Sequence, residues 1–106
     1  MVIPAIPVTD TIKTVCQGTI TGTVDRDHVM AVQTPQGFHA AILMEAYRMV
    51  DDISVFTDEA SLMESRGVYG AVVPGCVDNI KVTYPSDMAV VSALFETRRN
   101  KGPSED

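Results

Sequence analysis

Lys81 lies inside the β-branched run Asn79-Ile80-Lys81-Val82-Thr83. A strand of period two puts Ile80 and Val82 on one face and Asn79, Lys81 and Thr83 on the other. An ammonium there is costly to desolvate, and an anionic ligand is one reason to keep it. The other reading is an edge-strand lysine that discourages aggregation, and the pattern alone puts that reading first. Arg26 follows Thr23-Val24-Asp25. Its guanidinium can hold a phosphate or carboxylate through two parallel hydrogen bonds, or form a surface ion pair with Asp25. Thr34, before Pro35, and Thr57, before Asp58-Glu59, place hydroxyls at the ends of extended segments, where ligands of open α/β sheets bind. Thr57 also suits a helix cap, which needs no ligand to explain it.

Other reactive side chains read as structural. His28 and His39 have no serine or cysteine at a spacing that points to nucleophilic catalysis, and solvated side chains explain them. Asp58-Glu59 fits the first turn of a helix, where carboxylates interact favourably with the dipole. Met30, Met44, Met49, Met63 and Met88 read as core fillers. Cys16 and Cys76 lack Cys-x-x-Cys spacing, which excludes a zinc motif and fits two reduced thiols of a cytoplasmic protein. The seven glycines form neither G-x-G-x-x-G nor a Walker pattern, so neither of these phosphate-cradling loops lies in the sequence.

The elements that must position these residues alternate between strands and helices. Val2–Val8, broken by Pro4 and Pro7, suits an extended segment at a sheet edge or a strand's end. Thr11–Val15 and Thr19–Val24 flank Gly18 and read as a two-stranded arm, which is marginal in water unless it packs on something else. Val29–Gln33 reads as an inner strand stopped by Thr34-Pro35-Gln36-Gly37. Phe38, Ile42, Leu43, Ala46, Tyr47 and Val50 then recur at helical spacing, with His39, Glu45 and Arg48 left to face water. Ile53–Phe56 is a short strand or loop. A helix from Glu59 to about Arg66, capped by Thr57 or Asp58, stops at Gly67. Tyr69–Val73 reads as a buried strand, Ile80–Thr83 as a shorter one, and Pro85-Ser86-Asp87 opens a helix carrying Met88, Val91, Leu94 and Phe95. The pattern is α/β with a parallel or mixed sheet, and the strands are few for a doubly wound domain, as though half were present.

Composition bounds the function. The chain has 106 residues, 45% hydrophobic and 21% charged, with a formal net charge of -6, which fits one globular domain or part of one. The acidic excess argues against a nucleic-acid-binding face. No apolar run is long enough to span a bilayer, and the N-terminus lacks the cationic start and long apolar stretch of a signal peptide.

Five blocks carry a family resemblance: Pro7-Val8-Thr9-Asp10-Thr11-Ile12-Lys13, Thr23-Val24-Asp25-Arg26, Gln33-Thr34-Pro35-Gln36-Gly37-Phe38, Thr57-Asp58-Glu59-Ala60-Ser61 and Asn79-Ile80-Lys81-Val82-Thr83. In order and spacing they resemble the second half of 2-C-methyl-D-erythritol 4-phosphate cytidylyltransferase. The resemblance implies a Rossmann-like nucleotidyltransferase fold, C-terminal half only, over residues 1–99. It also implies a projecting β-arm at about 9–28 that embraces a second subunit, and residues 100–106 are left as a polar tail. The implied reaction joins CTP and methylerythritol phosphate, giving 4-diphosphocytidyl-2-C-methyl-D-erythritol and pyrophosphate. By resemblance Arg26 and Lys81 hold the acceptor phosphate for in-line attack, Arg26 and Thr11 act from the arm across a homodimer, and Thr34 and Thr57 bind the acceptor within one subunit. The family's CTP loop and the aspartate on its Mg2+ belong to the first half, so the resemblance implies no cofactor or metal ligand in this sequence. Ribitol-5-phosphate cytidylyltransferase and a non-catalytic dimerising fragment are the alternatives.

Overall fold

The computed structural model describes residues 1–101. It divides into two compact units, Met1–Gly75 and Cys76–Asp106, each taken by itself below.

In the first unit, strand β1 (Val2–Pro7) lies between two neighbours. It pairs antiparallel with β4 (Met30–Val32), Ala5 opposite Val32, and parallel with β5 (Ala71–Pro74), Ile3 opposite Val72. The edge position expected for Val2–Val8 is therefore wrong: β1 is central and β4, expected to be inner, is an edge. The prolines are tolerated because of where their missing donors point. Gln33 N–H donates to the Pro4 carbonyl at 2.8 Å, and a complete antiparallel pair would return a bond from residue 4 that proline cannot make.

The arm is a hairpin of β2 (Lys13–Cys16) and β3 (Thr19–Thr23), with a bulge at Thr14/Val15. Its two-residue loop, Gln17 (φ 48) and Gly18 (φ 79), has the positive φ at both positions that a twist-compatible hairpin turn requires. Lys13 Nζ donates to Thr23 Oγ1 at 2.7 Å, and the Thr14 and Thr21 hydroxyls lie 2.8 Å apart. Every residue of β2 is exposed, Val15 included.

Helices α1 (Ala40–Arg48) and α2 (Glu59–Ser65) meet around buried Ala46, Leu62 and Met63, with Phe38, Leu43, Val50, Phe56 and Val68 packed alongside. Tyr47 OH donates to Glu59 Oε1 at 3.0 Å and ties the two helices; that bond, with smaller contributions from burial and the Glu59 charge, raises the Tyr47 pKa. Ile53–Val55 is a single 3-10 turn rather than a strand, its Asp52 carboxylate accepting from the Ser54 N–H and hydroxyl. Asp58, not Thr57, caps α2: its Oδ1 accepts from Ser61 N–H at 2.7 Å, and Ser61 Oγ accepts from Asp58 N–H at 3.2 Å. Gly67, at φ +77, ends the helix.

Two burial expectations fail. The run Tyr69–Val73 forms strand only from Ala71, and Val72 is 54% exposed. Of the five methionines read as core fillers only Met63 is buried; Met30, Met44, Met49 and Met88 are exposed. The small core centres on the α1–α2 contact and on Ile3 and Ala5 of β1.

The second unit is built on α3 (Pro85–Lys101), opened by Pro85 as expected. Ile80–Thr83 forms no strand. The Thr83 and Tyr84 N–H groups both donate to Asp87 Oδ2 at 2.8 Å, so the last amide of this run is spent on the start of the helix, while Ile80 N–H donates to the Asp78 carbonyl at 3.0 Å. The tail expectation is also corrected at its beginning, since Asn100 and Lys101 are helical; Arg98, Arg99 and Lys101 sit in the last turn, where cations suit the dipole. The tail from residue 102 onward lies outside the described residues.

Two outcomes test this account. Asp58→Ala should cost about 0.5–2 kcal/mol in urea denaturation, whereas Thr57→Ala should stay within about 0.5 kcal/mol; equal losses would remove the assignment of the cap. The Asp87 carboxyl lies below its ordinary 3.8 because the Tyr84 and Thr83 amides bond its charged form. Its stabilisation is therefore full above the unfolded value and is lost as pH falls through the lower folded value. The amide shifts of Thr83 and Tyr84 should titrate together below 3.8, and flat shifts would break the link.

Candidate functional site

The five residues fall into three places. Arg26 opens a 3-10 turn, Arg26–His28, at the foot of the arm. Its Nη1 donates to the Thr9 carbonyl at 2.6 Å, fixing the guanidinium over the segment that leads through exposed Thr11 into β2. Val24 N–H donates to Ile12 carbonyl at 2.9 Å and closes the arm's base beside it. The surface pair with Asp25 is not formed. Asp25 instead caps the turn through Asp27 N–H at 3.0 Å and binds His28 Nδ1 at 2.8 Å. Among the described residues Arg26 has no carboxylate partner within ion-pair distance, so its charge is not spent inside the chain.

The turn that carries Thr34 is tied to the segment that carries Thr57. Strand β4 leaves β1 after Gln33 and returns at Gly37, whose N–H and carbonyl each bond Val2 at 2.8 Å. The residues between, Thr34-Pro35-Gln36, therefore project from the ladder as a turn; the Thr34–Pro35 peptide is cis. Gln36 Nε2 donates to Asp58 Oδ2 at 3.1 Å, which ties this turn to the residue after Thr57. Thr57, released from capping, lines a cleft of about 140 Å³ with Tyr47, Ile53, Phe56 and Glu59. Burial pushes the Asp58 carboxyl up, but bonds from the Ser61 N–H, the Gln36 amide and the Ser61 hydroxyl together outweigh it and leave the group lowered.

Lys81 belongs to the second unit, exposed on the irregular stretch before α3. Its carbonyl accepts from Thr83 Oγ1 at 3.4 Å, and no carboxylate lies within ion-pair distance among the described residues. The strand-face argument for its direction does not apply, because the strand is not formed.

Sequence reasoning missed Gln36 as anything more than a turn residue. The signal that could have found it is its place in Gln33-Thr34-Pro35-Gln36-Gly37, with an amide long enough to reach a neighbouring element. For a metal the residues do not fit: among the described residues no three His, Cys, Asp or Glu side chains group to hold an ion. No helix of the described residues is long and apolar enough to cross a membrane.

Comparison with known proteins gives the chain's family. The family model for 2-C-methyl-D-erythritol 4-phosphate cytidylyltransferase matches residues 1–97. A protein of that name from Bacillus thuringiensis (strain Al Hakam) is 43% identical over 96 residues, 90% of this chain and 42% of its own length. One from Rhodococcus jostii (strain RHA1) is 47% identical over 96 residues, with the same shares. Among solved structures, a 4-diphosphocytidyl-2C-methyl-D-erythritol synthase superposes with TM-score 0.75 at 39% identity, covering 89% of this chain and 42% of its own. The cytidylyltransferase of Thermus thermophilus gives TM-score 0.73 at 31% identity, covering 90% and 48%. This chain thus spans under half the length of the relatives it matches, and its fold is the α/β nucleotidyltransferase fold of those structures. With the match running from residue 1 to residue 97, the chain belongs to the 2-C-methyl-D-erythritol 4-phosphate cytidylyltransferase family.

Proposed function

We propose that this chain supplies the acceptor-binding part of a cytidylyltransferase that joins CTP to 2-C-methyl-D-erythritol 4-phosphate. The family match over residues 1–97 carries this reading. In the reaction an acceptor phosphate oxygen attacks the α-phosphorus of CTP, the new P–O bond forms, and the bond to the β-phosphate breaks to release pyrophosphate. Two anions must be brought together, so catalysis rests on positioning and on neutralising charge.

Arg26 and Lys81 are assigned to the acceptor phosphate. Arg26 supports this by holding only a carbonyl through Nη1, which leaves further guanidinium donors for a phosphate. Thr34 and Thr57 are assigned to the acceptor's hydroxyls and phosphate within one subunit, and Thr11 to the arm. The arm is assigned to a homodimer: its exposed Val15 and Ile20 suit burial against a second copy, and a two-stranded ribbon gains little stability alone. CTP and Mg2+ fall to the part of the relatives' length that this chain does not span, and exposed β5 is assigned to contact with that part. A cytoplasmic setting is in keeping with two cysteines outside any disulfide.

Pyrophosphate release from CTP and methylerythritol phosphate, assayed for this chain with and without a separately supplied N-terminal half, tests the reading. Turnover is expected only in the mixture. Silence in both, with each piece shown to be folded, would leave a non-catalytic dimerising fragment. Ribitol 5-phosphate should compete poorly; preferential use of it would reassign the acceptor. In the active mixture Arg26→Ala and Lys81→Ala should each lower kcat/KM for the acceptor about tenfold to a hundredfold, as loss of a charged hydrogen bond does. The KM for CTP should change little, and an unaltered acceptor KM and kcat would refute the role of the residue tested.

A further inference from the structure

We propose that Gln36 is a positioning residue, whose side-chain amide braces the turn carrying Thr34 against the Thr57-Asp58 segment and so sets the spacing of the two acceptor hydroxyl ligands. The inference rests on the acceptor role given above to Thr34 and Thr57.

The brace is built from groups that have little alternative. Asp58 uses one carboxylate oxygen, Oδ1, on the Ser61 N–H at 2.7 Å and the other, Oδ2, on Gln36 Nε2 at 3.1 Å. The reciprocal bonds between Asp58 and Ser61, including Ser61 Oγ to the Asp58 carbonyl at 2.7 Å, lock that carboxylate to α2. An ionised carboxylate only accepts, so Gln36 must present its NH₂ and not its oxygen. The amide oxygen then points inward. Gln36 Oε1 is buried and has no hydrogen-bond partner among the described residues. A glutamine serving only a solvent-facing turn would wet that oxygen. The bond to the Asp58 carboxylate sets which end of the amide faces α2.

The bond spans 22 residues of sequence. On one side, Thr34 stands two residues before Gln36, in a turn fixed to the sheet by Gln33 to Pro4 and by Gly37 to Val2. On the other, Thr57 stands one residue before Asp58 and lines the small cleft beside Tyr47 and Glu59. A displaced turn would move one hydroxyl relative to the other while leaving the α1–α2 core intact.

Gln36→Met keeps the volume and removes the donor; Gln36→Glu keeps the shape and sets a second carboxylate against Asp58. Each variant, with Thr34→Ala and Thr57→Ala beside it, is titrated with methylerythritol phosphate and separately with CTP, in this chain together with the N-terminal half, by calorimetry. A loss of at least fivefold in acceptor affinity for both Gln36 variants, with CTP affinity within twofold and melting within about 2 °C, is the expected result. If the threonine variants weaken the acceptor and the Gln36 variants do not, the brace is overturned and the threonine roles stand. If neither threonine variant changes acceptor affinity, or the acceptor does not bind, the functional reading falls and this inference with it. Should Gln36→Met unfold, Gln36→Glu decides; unfolding of both makes the residue structural and overturns the proposal.

Discussion

The geometry of this chain depends on a strand that must satisfy two neighbours with one set of backbone groups. Successive peptide groups of a strand point to opposite edges. In β1 the Met1 and Ala5 carbonyls serve the β5 side, accepting from Ala71 and Gly75, while Val2 and Pro4 serve the other. Pro4 has no donor, so its pair with Gln33 is half made, and the ladder does not resume until Gly37 meets Val2. Three residues are therefore left over opposite one position of β1. The turn with Thr34 and Gln36 is what the sheet does with the surplus, and one proline in the central strand is tied to the site at its rim.

The second constraint is a carboxylate. Asp58 is one group with three places: it caps α2, accepts from Gln36, and lines the cleft where Thr57 stands. Bonds to its charged form together outweigh a burial that would neutralise it, so protonation weakens the cap and the Gln36 bond together. Local structure and candidate site are thus not separable at this residue. On a smaller scale Asp87 starts α3 by taking the amides of Thr83 and Tyr84.

Much of this was legible in the residues. Helical spacing from Phe38 to Val50 marked α1, the Gly67 stop and a cap at Thr57 or Asp58 bounded α2, and Gly18 located the arm's turn. What misled was any inference about surroundings. Tyr69–Val73 and Val29–Gln33 have the composition of strands covered on both faces, and such composition reports the whole sheet a segment evolved in, not the part of it in one chain. Val72 and Val32 are both more than half exposed, so composition overstated the cover these segments receive among the described residues. Ile80–Thr83 failed for a related reason: strand propensity is a fit to a neighbour, and the run's last amide, that of Thr83, bonds the Asp87 carboxylate instead. The candidate residues were legible mainly through resemblance, since each had an ordinary structural explanation. The structure removes two of those explanations, by giving the cap to Asp58 and the Asp25 carboxylate to His28.

That removal bears on the phosphate-binding role proposed for Arg26 in an acidic chain. With 14 carboxylates against eight Lys and Arg side chains, a carboxylate beside an arginine would quench its charge locally. Arg26 is kept from this on both sides. Its sequence neighbour Asp25 is occupied by an imidazole and by the backbone of the turn, and its own Nη1 is held by a neutral carbonyl. A carbonyl orients a guanidinium without cancelling its charge, so the cation stays available to an incoming dianion while its direction is already fixed. Fixing direction in advance lowers the ordering cost that binding would otherwise carry, and for a reaction that must press one phosphate against another, the gain falls where repulsion is greatest.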